Sequence, residues 1–163
     1  MSAEVSKPVV TSDLDCSPRT KVDPRGPRFG AAVTTVVLAA ALIFNGTSLG
    51  TVLIAWQTLV FALGAIVGLQ AQPYGIFFRK VIKPRLSPPA ELEDAAPPRF
   101  AQAVGLAFLV VALVAALLGV TVVSAIAVAF ALAAAFLNAA FAFCLGCEMY
   151  LLGKRLFAGR AAA

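Results

Sequence analysis

Two long apolar stretches dominate the pattern of hydrophobic and polar positions. From Phe29 to Phe78, and again from Phe100 to Cys147, there is no Asp, Glu, Lys or Arg. Each stretch is about twice the roughly 20 residues that one helix needs to cross a hydrocarbon core. The first divides at Asn45-Gly46-Thr47-Ser48, a turn signal, which predicts helices over 29–44 and 49–70. The second divides near Leu118-Gly119-Val120-Thr121, which predicts helices over 101–118 and 121–152. A single helix over that second stretch would run roughly 70 Å, far beyond a core of about 30 Å. No segment makes a credible strand. The fold class is therefore all-α: an integral membrane bundle of four transmembrane helices arranged as two short-turn hairpins.

The polar segments frame this bundle. Residues 1–28 mix Ser, Thr, Pro, Asp and Lys with little apolar periodicity and read as a flexible tail. The transmembrane domain takes 29–153, with a loop over 71–100, and 154–163 form a short basic tail. In the loop, Tyr74 to Lys83 interleaves aromatic and basic residues, as a segment lying in the membrane interface does. A docking surface is the functional alternative for this loop. Ser87, followed by Glu91, Glu93 and Asp94, reads as a helix cap with acids in the first turn.

A weak internal repeat accompanies this layout. Gly26-Pro27-Arg28-Phe29 opens the first hairpin and Pro97-Pro98-Arg99-Phe100 opens the second. Each half has an even number of spans, so duplicated halves would run parallel, related by an axis along the membrane normal. A shared interface anchor, with Pro starting a helix and Arg at headgroup level, explains the same residues without duplication.

Composition agrees with the pattern. The chain is 61% hydrophobic and 13% charged, against about a quarter charged in soluble domains. Its net charge of +5 comes from three basic clusters that all flank apolar runs, which excludes nucleic acid as the expected partner. With four spans, every Lys and Arg falls on one side, and the positive-inside rule makes that side cytoplasmic. The expectation is a multi-pass plasma-membrane protein, embedded in the lipid bilayer with both termini in the cytoplasm. A cleaved signal peptide is not expected, because the first apolar run starts late and no small-residue cleavage site precedes it.

The chemistry available is narrow. There is no histidine, so a Ser-His-Asp site, a zincin site and a His-ligated haem are excluded within the chain. There is also no glycine-rich phosphate loop, and no ionisable group lies within the core to serve a proton relay. What remains is Cys144, Cys147 and Glu148, with Cys16 in the tail and the amides Gln57 and Asn138 at depth. Inter-helix hydrogen bonding is the expected role of the amides, with a polar pathway as the alternative. The two cysteines three apart share a helix face and permit a thiol site. They also permit a metal or cluster site, with Cys16 and Glu148 as further ligands, or a packing face of small residues. Counting from Thr121 at about 1.5 Å per residue puts Cys144 roughly 35 Å along its helix, near the C-terminal end. There the helix dipole opposes a thiolate, whereas thioredoxin-type pairs sit at a helix N-terminus. Activation would require the helix to break at Gly146 or the basic residues to fold back. The residues specify no cofactor.

Several motifs together resemble one family. They are Asp23-Pro24-Arg25-Gly26-Pro27-Arg28-Phe29, Gln72-Pro73-Tyr74-Gly75, Lys83-Pro84-Arg85-Leu86, Glu91-Leu92-Glu93-Asp94 and Pro97-Pro98-Arg99-Phe100-Ala101-Gln102. Phe136-Leu137-Asn138 and Phe143-Cys144-Leu145-Gly146-Cys147-Glu148 complete the set. From about Val22 to Gly153 the chain resembles the bacterial, largely actinobacterial, membrane proteins known as domain of unknown function 4395. That resemblance implies a four-span protein, often encoded near thioredoxin-like or sulfurtransferase proteins, and tilts Cys144, Cys147 and Glu148 towards thiol or sulfur chemistry. A non-enzymatic membrane subunit, a small-solute transporter-like bundle, a membrane complex and a homo-oligomer all stay open at this stage.

Overall fold

The structure is a computed structural model that describes residues 21–87 and 91–161. Among the described residues, four helices are long and apolar enough to cross a membrane. They are α1 (Arg25–Ile43), α2 (Ser48–Ala62, prolonged by a wider turn over Leu63–Val67), α4 (Ala96–Leu117) and α5 (Thr121–Phe141). Between the hairpins lies the short α3 (Pro73–Phe77), and after α5 comes α6 (Leu145–Ala161). Around the ring α1 packs on α2 and α5, while α4 packs on the same two from the opposite corner.

The ends of the helices show how the chain makes them. Asp23 Oδ1 accepts the Arg25 N–H at 3.0 Å, and Asp94 Oδ1 accepts the Ala96 N–H at 3.0 Å. Each carboxylate thereby satisfies a donor that the first turn of α1 or α4 leaves without an intrahelical partner. Thr47 does the same for α2, its Oγ1 accepting from the Gly50 N–H at 3.2 Å. Asn45 Nδ2 donates to Thr121 O at 2.9 Å and ties the two tight turns together. We call this end the turn face and the opposite end the loop face.

Inside lipid the apolar surface of a helix gains little by leaving the solvent, so close packing and hydrogen bonds must hold the bundle. The core fits that requirement. Leu38, Leu109, Ala41 and Ala112 are fully buried, with Ile54 and Val128 beside them. Ala127 and Ala131 on α5 present small side chains that let the backbones approach.

The internal repeat extends into the packing. A shift of 71 positions takes Asp23 to Asp94, Pro27 to Pro98, Arg28 to Arg99 and Phe29 to Phe100. The same shift takes the buried Leu38 to Leu109 and Ala41 to Ala112. It takes the start of α1, Arg25, to the start of α4, Ala96. The two arginines also do equivalent work: Arg28 Nε donates to Ala139 O near the end of α5, and Arg99 donates to Ala65 O and Ile66 O at the end of α2. Each half therefore caps the second helix of the other half. Lys21–Val22 (β1) pairs antiparallel with Glu93–Asp94 (β2), with Val22 opposite Glu93. Those two are also 71 apart, so the pseudo-two-fold axis runs through this pair.

Four expectations need correction. The fourth helix ends at Phe141 and does not run on to position 152. A strand does exist, among the described residues only as the two-residue β1–β2 ladder, too short to leave a pattern in the sequence. Among the described residues no helix starts near Ser87; Glu93 and Asp94 belong to β2, and Asp94 Oδ1 instead accepts the first N–H of α4. Helix α1 begins at Arg25, inside the segment read as a tail, and residues 1–20 of that tail lie outside the described residues.

Candidate functional site

The break after Phe141 sets the position of the cysteine pair. Ala142 adopts the left-handed conformation, at φ 55° and ψ 24°. Its N–H and that of Phe143 both turn back to Leu137 O, which closes α5. A non-glycine residue there costs roughly 1–2 kcal/mol, so contacts made elsewhere must hold it. Two are present. Arg28 Nε donates to Ala139 O at 3.2 Å, and α6 is seated on the start of α4. At that seat a Cβ on Gly146 would lie 2.6 Å from both Cα and Cβ of Ala101, so only glycine allows the approach. Phe100 and Tyr150 pack beside it with ring centres 5.7 Å apart.

The Glu148 N–H donates to Cys144 O at 3.0 Å, the first hydrogen bond of α6. Cys144 is thus the residue that caps this helix, and Cys147 lies in its first turn, Cα atoms 5.1 Å apart, with the sulfurs joined as a disulfide. This overturns the placement of the pair at a helix C-terminus. The chain breaks two residues before Cys144, not at Gly146, and the pair meets the N-terminal end of a new helix. There the free N–H groups and the helix dipole favour a thiolate when the pair is reduced. Both cysteines are half-buried and Glu148 is exposed.

Beside the pair, a cavity of about 300 Å³ opens among α1, α4, α5 and α6. Its wall includes Thr34, Gln102, Gly105, Ala134, Asn138 and Cys144. Most of the wall is apolar, and Cys147 does not reach it. Thr34 is 4% exposed, and its Oγ1 accepts the Gln57 Nε2 hydrogen at 3.0 Å. Gln102 Oε1 accepts from Gln72 Nε2 at 2.7 Å, which leaves the Gln102 amide nitrogen as a donor. Asn138 has no side-chain hydrogen bond among the described residues.

The other half of the repeat fills the equivalent space. Gln57 is fully buried and receives the Tyr74 hydroxyl on Oε1 at 3.0 Å; Trp56 Nε1 in turn donates to Tyr74 Oη at 3.0 Å. Gln72 reaches in to donate to Val60 O at 3.2 Å, in room left by Gly64, where a Cβ would collide with its amide. Burial raises the Tyr74 hydroxyl above its ordinary value of 10.0, and the Trp56 hydrogen bond offsets part of that rise. Shifted by 71, Gln57 becomes Val128, Gly64 becomes Ala135, Gln72 becomes Phe143 and Tyr74 becomes Leu145. Phe143 is exposed rather than inserted, so the second half keeps a cavity where the first half has a polar plug.

Of the residues singled out by sequence, Cys144 is joined to Cys147 and shares the cavity wall with Asn138, while Cys147 and Glu148 lie outside that wall. Cys16 lies outside the described residues, and among the described residues no three His, Cys, Asp or Glu side chains cluster as a metal set. Gln57 joins α1, α2 and α3 through its hydrogen bonds, the inter-helix role expected of it. Sequence reasoning overlooked Thr34, Gln72 and Gln102 at this site. Gln72 and Gln102 do stand in the motifs that carry the family resemblance; Thr34 gives no local signal.

Fold and site together define a class: an all-α bundle of four apolar, membrane-length helices carrying a Cys-x-x-Cys pair at the N-terminus of a fifth long helix. The family model named "Domain of unknown function (DUF4395)" matches residues 22–155, and the chain belongs to that family. No curated protein and no solved structure matches the chain.

Proposed function

We propose that this protein is a membrane dithiol site that exchanges electrons or sulfane sulfur with a soluble partner at the loop face. The observation that carries this reading is the Cys144–Cys147 pair at the N-terminus of α6, where a thiolate is favoured as attacking or leaving group. Arg28, Arg79 and Arg99 lie at the loop face, which the positive-inside rule assigns to the cytoplasm. The partner class implied by the family resemblance is a thioredoxin-like or sulfurtransferase protein. In the electron-transfer direction, a thiolate of a reduced partner attacks the Cys144–Cys147 disulfide and expels one of its sulfurs. The partner's second thiolate then closes its own disulfide, and the pair is left as a dithiol. With a persulfide donor, the terminal sulfur passes to one cysteine and the donor leaves as a thiolate. Glu148 follows Cys147 directly in the first turn of α6 and completes the proposed site.

The test uses Cys144→Ser and Cys147→Ser in native membranes. One of the two should retain a soluble protein as a mixed disulfide that a reductant releases. If neither retains one, and both thiols of the reduced wild type resist alkylation in folded membranes, the reading fails. A bundle with purely structural cysteines predicts that result, together with unchanged assembly in the double variant.

A further inference from the structure

We infer that the cavity beside Cys144 is the binding site of a lipid-soluble quinone, which takes electrons from the reduced Cys144–Cys147 pair. The inference rests on the dithiol reading above and supplies what that reading lacks, a destination for the electrons. Three observations carry it. The cavity is about 300 Å³ and mostly apolar, at the low end of small-molecule sites, and lies among helices of membrane length. Its polar wall groups offer donors. Gln102 has its oxygen occupied by Gln72, and Thr34 already accepts from Gln57, so each has a hydrogen left to give. Asn138 adds an amide with no side-chain partner among the described residues. Donors along an apolar slot suit a flat molecule with carbonyl acceptors, and among the described residues no charged side chain lines the slot to recruit an ion. Finally, the redox group is on the wall itself, since Cys144 borders the cavity and Cys147 does not.

The reaction balances without a further reagent. Two S–H bonds break and one S–S bond forms. Two electrons and two protons pass to the ring, whose two carbonyls become hydroxyls. The repeat adds a reason for the one-sided design. The corresponding space in the first half is plugged by Gln57, Gln72 and Tyr74, whereas its counterpart in the cysteine-bearing half stays open beside Cys144.

The test reduces the purified full chain in liposomes, removes oxygen, and adds decylubiquinone, whose ring is fully substituted and adds no thiol. Pair oxidation is read by gel shift of maleimide-blocked thiols, and quinol by absorbance. The expected result is saturable oxidation with one quinol formed per pair. Asn138→Leu and Ala134→Phe should each slow it about tenfold or more, by loss of a hydrogen bond or of space. Both variants should still react with diamide, a water-soluble thiol oxidant, which shows that the pair is intact. If diamide oxidises the pair and decylubiquinone does not, or does so equally fast in both variants, the quinone site is overturned while the dithiol reading stands. If neither oxidant closes the pair and no partner is trapped, the dithiol reading itself falls and takes the quinone site with it.

Discussion

Adding one methyl group at Gly146 tests whether α6 is held against α4. The new Cβ would stand 2.6 Å from both Cα and Cβ of Ala101. Ordinary carbon contacts lie at about 3.5–4.0 Å, so the helices must part by roughly 1 Å. Overpacking of this kind costs about 1–3 kcal/mol. Alanine also improves an isolated helix over glycine by about 1 kcal/mol. The two effects have opposite signs, which makes the experiment decisive. A docked α6 predicts that Gly146→Ala destabilises the protein by up to about 2 kcal/mol net. A free α6 predicts stabilisation instead. Reversible unfolding of the full chain in mixed micelles gives the energy, and amide hydrogen exchange over 145–156 locates it. Ala101→Gly in the same chain should recover part of the loss, because it removes one of the two colliding atoms. Slower exchange in α6, or a stability gain indifferent to position 101, would refute the seating of this helix and the account of the break at Ala142.

The remaining expectations concern the repeat and the polar plug. Leu38→Ala and Leu109→Ala, fully buried and related by the repeat, should each cost about 2–5 kcal/mol in micelle unfolding and agree within about 1 kcal/mol. Arg28→Ala should speed hydrogen exchange at 139–143 and alkylation of reduced Cys144, whereas Arg99→Ala should act at 65–67, each for a loss of about 1–2 kcal/mol. Burial raises the Tyr74 pKa in the folded state. Its contribution to stability is therefore complete below 10.0 and is lost as pH climbs through the higher folded value. Tyrosinate absorbance in a Tyr150→Phe background follows it, and Trp56→Phe should move the titration higher still by removing the hydrogen bond that lowers it.

How much of this was legible in the sequence depends on the range of the forces involved. The spans and their number follow from charge-free length, and the first turn from Asn45-Gly46. The end of α5 does not, because the segment from Phe141 to Cys144 carries no Pro or Gly, and a left-handed alanine is the last thing local propensity would choose. It is fixed by Arg28, more than a hundred residues away, and by the fit of Gly146 on Ala101. That long-range cause also reversed the reading of the cysteines, from the wrong end of one helix to the favourable end of the next. Cys144, Cys147 and Glu148 were recognisable as residues, but their electrostatic setting was not. The cavity was hidden for a different reason. It is made by what the second half lacks, with Ala131 and Ala134 where the first half has Val60 and Leu63, and no inserted counterpart to Gln72, which folds in over Gly64. Absence of bulk leaves a pattern only once the partner half is superimposed on it.

The two-residue ladder at the loop face has a consequence for assembly. Val22 opposes Glu93, its own counterpart in the repeat, so the ladder is self-complementary. A hairpin that begins with this strand carries the edge needed to pair with a second copy of itself. The reciprocal arginine caps work in the same way, each half closing the other. Two identical hairpins could form the whole ring with no contact that the single chain lacks. Such a dimer, however, would be bound to make both of its sites alike. Joining the halves in one chain frees them to diverge, one filling its space with Gln57, Gln72 and Tyr74 and the other keeping the cysteines and the space beside them.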